Sequence, residues 1–262
     1  MCHKQIIIYV AACGFSVAFW TLTAPATADD RTLAKDSFPS HRGVWEVSLQ
    51  ATEQIPNPSM DWQTQLVFTR PDHSVVTIDC FFRGDQTWIG RAYCDQPGQW
   101  TWRSVSTHAS LNNIDGQFEV KPSGLPGKLR KHPDDPHQFV FDNGKWFLHL
   151  GDTGYRCLTD TEALWQQYLD EAEAVGFTKI RAWFCRSRGG VEALLSQDRS
   201  GVDIEYWDTM DHRIQYALEK YPHLQLQLIL YGEDRAELLR YAENDAASQL
   251  IARYAQARFA AY

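Results

Sequence analysis

The sequence predicts a multidomain β + α/β protein, with an N-terminal β-sandwich followed by βα units around a parallel sheet. Three observations predict it. From Phe38 to Lys121 apolar residues recur with period two, in short runs divided by turn residues. Lys121-Pro122-Ser123-Gly124-Leu125-Pro126-Gly127 is then a stiff, helix-breaking linker. Beyond it the period changes, and strands begin to alternate with helices.

In the first half, Trp45, Val47 and Leu49 share one face of the opening run while Glu46, Ser48 and Gln50 face away. Trp62, Thr64, Leu66 and Phe68 repeat the pattern after the Ile55-Pro56-Asn57-Pro58 break. Val76, Ile78, Cys80 and Phe82 form the next run, followed by a turn at Arg83-Gly84-Asp85 and a run from Trp88 to Tyr93. Trp100-Thr101-Trp102 and Gly116–Val120 complete a set whose spacing indicates an immunoglobulin-like sandwich, assigned to residues 36–122. Its in-phase rings, such as Trp45, Phe68 and Trp100, read as core.

In the second half, residues 128–262, the first strand is read at Lys145–Leu150 and a helix from Thr159, where Thr159 and Glu162 fit a capping box and Gly176 closes the helix. A second strand follows at Thr178–Phe184, and a helix at Tyr206–Lys220. The third strand, Leu224–Tyr231, turns leucines to one face and Gln225, Gln227, Ile229 and Tyr231 to the other. Leucines suit a helix-covered face, and glutamines suit a hydrogen-bonded interior or cleft. Ala236–Tyr262 is helical, with a break near Asn244. A (β/α)₈ barrel needs about 250 residues and eight strands, so the expectation is the first three βα units of an incomplete TIM barrel.

Composition narrows the function. Of 262 residues, 44% are hydrophobic and 22% charged, enough for a packed core. Lys and Arg total 25 against 33 Asp and Glu, and the net charge of -8 leaves no basic footprint for nucleic acid. Ten Trp, 11 Tyr and 13 Phe supply more flat rings than a core needs, a common means of holding sugars. At the start, His3 and Lys4, the apolar run 6–22 and the exit Ala26-Thr27-Ala28 have the three parts of a signal peptide over residues 1–28. The rival reading is an anchoring helix. Cleavage implies a protein secreted or held in the periplasm by bacterial-type export, with no membrane partner.

Cys80, Cys94, Cys157 and Cys185 contain no C-x-x-C pair, which disfavours zinc. Export permits disulfides, and the order suggests Cys80–Cys94 and Cys157–Cys185, with buried free thiols as the alternative. No metal or other cofactor is expected.

Several motifs carry a resemblance. Val44-Trp45-Glu46-Val47, Phe81-Phe82-Arg83-Gly84, Arg91-Ala92-Tyr93, Pro97–Trp102 and Gly116–Val120 resemble the sandwich module at the N-terminus of secreted bacterial polysaccharide-degrading enzymes, the domain of unknown function 5060 type. Phe141–Phe147, Leu150-Gly151-Asp152-Thr153, Gly176–Trp183, Tyr206–Asp211 and Arg253–Tyr262 resemble the start of the apiosidase-like glycoside hydrolase barrel, the domain of unknown function 4038 type. The resemblance implies hydrolysis of O-glycosidic bonds in plant or algal polysaccharide, with carbohydrate as the partner. It also implies that the catalytic carboxylates come from the fourth and later strands, so the sequence is expected to be a C-terminally truncated hydrolase whose own catalytic residues are unknown. The alternative is a non-catalytic carbohydrate-binding or adhesion protein.

Barrels present their chemistry at the C-terminal ends of strands. The expected substrate-binding residues are therefore Asp152, Arg181, Trp183, Tyr231 and Glu233. Asp152 resembles the family's first-strand aspartate, which holds sugar hydroxyls; its bland reading is a turn residue. Glu233 and Asp234 suit a donor and base if the chain is complete, or else the acidic first turn of a helix. Arg181 shares a face with Trp183 and needs a partner, either a sugar or a structural pair with Asp152. Trp183 and Tyr231 suit stacking platforms, or core.

Overall fold

The computed structural model describes residues 39–185, 193–230 and 245–262. The expected leader 1–28 lies outside them, as do Tyr231, Glu233, Asp234 and residues 186–192. Two antiparallel sheets come first. Strands β1 (Val44–Gln50), β4 (Phe81–Gly84) and β5 (Thr87–Tyr93) form one in the order β1-β5-β4. Strands β2 (Thr64–Thr69), β3 (Val75–Asp79), β6 (Gly98–Ser106) and β7 (Asp115–Val120) form the other, ordered β3-β2-β6-β7. Leu49, Leu66, Phe68, Trp88 and Trp100 fill the space between them, each at most 2% exposed, and burying such a side chain contributes roughly 1.5–3 kcal/mol by removing it from water.

The run read as one strand over 76–82 is two. Asp79 ends β3 in one sheet and Phe81 begins β4 in the other, and Cys80 makes the crossing with its N–H on the Thr64 carbonyl at 3.0 Å. Val76, Ile78, Cys80 and Phe82 all still pack on the sandwich core, so side-chain phase survives the change of sheet. Strand β5 is buried on both faces. Trp88 and Ala92 face the sandwich interior, whereas Ile89, with Phe81 of β4, belongs to the core of the second half.

A small antiparallel sheet follows, with β8 (Leu129–Lys131), β9 (Phe139–Phe141) and β10 (Trp146–Phe147) in the order β10-β9-β8. The expected first parallel strand at 145–150 is thereby corrected. Trp146 and Phe147 pair back onto β9 through the Asn143-Gly144 turn, where Gly144 has φ 82°. The first parallel strand is β11 (Gly151–Thr153), beside β12 (Lys179–Trp183) and β13 (Gln225–Ile229) in the order β11-β12-β13.

Helices α1 (Glu162–Ala174), α2 (Ile204–Lys220) and α3 (Ala246–Phe259) begin where a side-chain oxygen takes an orphan amide. The caps are Thr161, Asp203 and Asp245, accepting from Leu164, Tyr206 and Ser248. The expected cap Thr159 instead ends a 3₁₀ turn, Cys157–Thr159. Arg213 shapes that turn by donating to the Leu158 and Asp160 carbonyls at 2.6 and 2.7 Å, and it holds the Glu162 carboxylate that a capping box would have used. Gly176, at φ 78°, closes α1 as expected. Trp165, Trp207 and Phe184 are fully buried in the core that the helices share with the parallel sheet, and Tyr254 is fully buried between Trp207 of α2 and Phe81 of β4.

Cys80, Cys94 and Cys157 are free thiols, so neither expected bridge forms. Cys80 lies against Gly90, its Sγ 3.1 Å from where a β-carbon on Gly90 would sit. Cys94 is four residues farther on, roughly 13 Å away at ~3.3 Å per residue, beyond the ~7 Å a disulfide spans. Cys157 is occupied against Gly154, 3.0 Å from that residue's β-position. Burial pushes the Cys94 and Cys157 thiols up to about 12, which makes them poor nucleophiles at neutral pH.

Candidate functional site: one face of the parallel sheet

Strand register divides the parallel sheet into two chemically distinct faces. Ile180, Ala182, Leu226 and Leu228 turn toward the helices and join their core. On the other face Thr153, Arg181 and Gln227 lie side by side in one register row, with Trp183 beside Ile229 in the row nearer the C-terminal strand ends. Arg181 and Trp183 share this face, as expected. Asp152 does not. Its register partner is Ile180, which puts it on the helix side, where the Tyr168 hydroxyl of α1 donates to its carboxylate at 2.8 Å. The same carboxylate accepts the Thr153 amide at 2.7 Å. The suggested Asp152–Arg181 pair is therefore precluded by strand alternation.

Trp183 has a partner that sequence reading missed. The Tyr155 ring lies 4.8 Å from it, centroid to centroid, at 40°, and the Trp183 amide donates to the Tyr155 carbonyl at 2.9 Å. Tyr155 is 40% exposed and Trp183 9%, so the pair presents tyrosine to solvent and anchors it with tryptophan. Gly151, Thr153 and Tyr155 alternate, and that was the available signal. The platform rests on firm ground. The adjoining Phe184 is fully buried against Trp207 at 4.8 Å, its amide bonds the Ile229 carbonyl at 3.0 Å, and its carbonyl accepts the Tyr206 hydroxyl at 2.8 Å.

An aromatic surface stacks on the apolar face of a sugar ring, and the nearby guanidinium and amides of Arg181 and Gln227 suit hydroxyl groups. Glycosidic cleavage further needs two carboxyls flanking the bond. Among the described residues the parallel strands contribute one, Asp152, on the opposite face.

The densest polar cluster lies elsewhere, where the sandwich meets α2 and α3. Arg91 grips Asp211 with both terminal nitrogens at 3.0 and 2.6 Å, and also donates to the Arg258 carbonyl at 2.7 Å and Glu46 at 2.9 Å. Arg258 donates to the same Asp211 at 3.0 Å, to the Tyr254 hydroxyl at 3.1 Å and to Asp208. Arg91, Asp211 and Arg258 are 3%, 4% and 0% exposed. Burial acting alone raises the Asp211 carboxyl; the two arginines outweigh it and hold the group below the ordinary aspartate range. A cluster so fully paired is structural. A cleft of about 550 Å³ beside it is lined by Arg70, Asp79, Asp95, Lys128, Arg130 and Arg253 among others. Its charges are likewise matched, Arg253 with Asp79 at 3.1 Å and Arg70 with Asp95 at 2.9 Å.

Residues 42–107 match the family model described as a domain of unknown function, DUF5060. The fold is similar to the crystal structure of a "putative glycoside hydrolase from Bacteroides vulgatus ATCC 8482", with a TM-score of 0.68 and 19% sequence identity. The match covers 85% of this chain and 47% of that one, so this chain spans about half the length of that structure. No curated protein matches. The likeness is one of fold, antiparallel sheets followed by parallel βα units.

Proposed function

We propose that the chain is the sandwich and first three βα units of an exported (β/α)₈ glycoside hydrolase acting on O-glycosidic bonds of plant or algal polysaccharide. The observation that carries this reading is the Tyr155–Trp183 pair, set beyond a row of Thr153, Arg181 and Gln227 at the C-terminal ends of three parallel strands. That end is where such barrels bind and react. An apolar groove of about 340 Å³, lined by Leu228, Leu230 and Phe259 beside β13, supports a sheet that continues past its third strand. In this reading the cleaving carboxylates belong to strands after β13, at the ~5–5.5 Å separation of retaining enzymes or the ~6.5–9.5 Å of inverting ones.

A second reading, glycan binding without cleavage, draws on one observation: Asp152 is turned toward α1, away from the platform. Reducing-sugar assays and native affinity gels over a panel of plant and algal polysaccharides, run on this chain and on a chain carrying the further barrel strands, separate the two. Both readings expect retardation of this chain, and release of reducing ends by the longer chain is the result expected of the hydrolase. Retardation without release by the longer chain assigns the binding role, and neither release nor retardation overturns both.

A further inference from the structure

We infer that the β1-β5-β4 sheet is an interaction surface built for α2 and α3, and that the task of the 42–107 module is to brace these helices and, through them, the strand end that carries Trp183. The outward face of a sandwich sheet ordinarily meets water, with polar side chains in alternation. Here that face carries Phe81, Ile89 and Arg91, and Phe81 and Ile89 are counted in the helical core. Tyr254 of α3 packs edge-on against Phe81 at 5.7 Å and donates its hydroxyl to the Phe82 carbonyl at 2.6 Å. Arg253 reaches back over the Trp62 ring at 4.7 Å and to Asp79 at 3.1 Å.

Arg91 makes the surface specific. A buried guanidinium is tolerated only where its donors are all taken, and those of Arg91 go to Asp211 of α2, the Arg258 carbonyl of α3 and Glu46 of its own sheet. From Asp211 the path to the platform is short. Trp207 lies one helical turn earlier on α2 and packs on Phe184, the residue after Trp183. Within the module Trp45, Trp62 and Trp102 are half-buried, and among the described residues the exposed tryptophan, tyrosine and phenylalanine side chains are Phe139, Trp146 and Tyr155, all beyond residue 107.

The bracing role stands on this interface, independent of the glycan reading, and its test reads amide protection instead of sugar binding. Native-state hydrogen exchange on the unmodified full chain in rising guanidinium is expected to show β4, β5, α2 and α3 opening together, with one denaturant dependence. Opening of α2 and α3 in a separate, earlier step while β1, β4 and β5 stay protected overturns the proposal. A variant pair extends the test. Arg91→Met is expected to lower Tm on the order of 10 °C and to strip protection from α2 and α3, whereas Arg103→Met, on an exposed position of β6, leaves both unchanged. Loss confined to the three strands of the sheet in Arg91→Met contradicts bracing. Should that variant not fold, the exchange pattern of the unmodified chain decides.

Discussion

Asp211→Ala is expected to cost about 3–5 kcal/mol of folding stability, the usual penalty for removing one partner of a buried ion pair. The loss is large because Asp211 is the shared acceptor of two buried guanidiniums, Arg91 and Arg258, and both are left without their central counter-charge. Urea unfolding monitored by tryptophan fluorescence measures it. Replacing all three groups together, as Arg91→Met, Asp211→Leu and Arg258→Met, is expected to recover most of the loss, since an apolar substitute of similar volume removes the desolvation cost along with the attraction. The pH dependence has a definite sign. The folded carboxyl titrates below its ordinary value of 3.8, so its contribution is complete above that pH and is lost as acid carries the protein down through the lower, folded value. The unmodified chain therefore loses stability more steeply in that acid window than Asp211→Ala does.

Gly151→Ala is expected to be the most disruptive change in the parallel sheet, at about 3 kcal/mol, the upper part of the range for overpacking. A β-carbon there falls 2.0 Å from the Lys179 carbonyl oxygen and 2.8 Å from its carbon. Both are backbone atoms of the partner strand and have no rotamer through which to withdraw. Strand β11 is three residues long and pairs through Gly151, Asp152 and Thr153 alone, so the clash displaces a third of its register. Tyr155 then loses its seat on Trp183. Thermal unfolding and the tryptophan emission maximum report both effects, and Gly124→Ala, where a β-carbon meets nothing within 4 Å, is the control expected to leave them unchanged.

Much of this architecture was legible because apolar alternation is a direct print of burial. The sandwich runs, the linker and the second and third parallel strands appear where the pattern put them, to within one or two residues at most ends. The errors have physical causes. Strand β11 reads Gly-Asp-Thr and has no apolar residue to announce it, whereas the neighbouring Trp146-Phe147 of β10 alternates like a strand and drew the assignment. The crossing at Cys80 was invisible because the same side chains stay on the same core through the change of sheet. Within the site, Arg181 and Trp183 were placed on one face correctly by period alone, but Asp152 was joined to them from its position at a supposed strand end. The Arg91–Asp211–Arg258 cluster was missed because its members lie 120 and 47 positions apart. A local trace existed in Asp211, an acid in phase with Trp207 and Ile214 on the apolar stripe of α2.

The aromatic platform is tested most directly by native affinity electrophoresis of Tyr155→Ala against a polysaccharide that retards the unmodified protein. Tyr155 is 40% exposed, so the substitution removes a binding surface with little effect on the core. The predicted result is about a tenfold loss of affinity, equivalent to ~1.4 kcal/mol, with Trp146→Ala, on the 57% exposed ring of β10, retarded like the unmodified chain. Undiminished retardation of Tyr155→Ala, or its loss in Trp146→Ala alone, contradicts a sugar platform at the ends of the parallel strands.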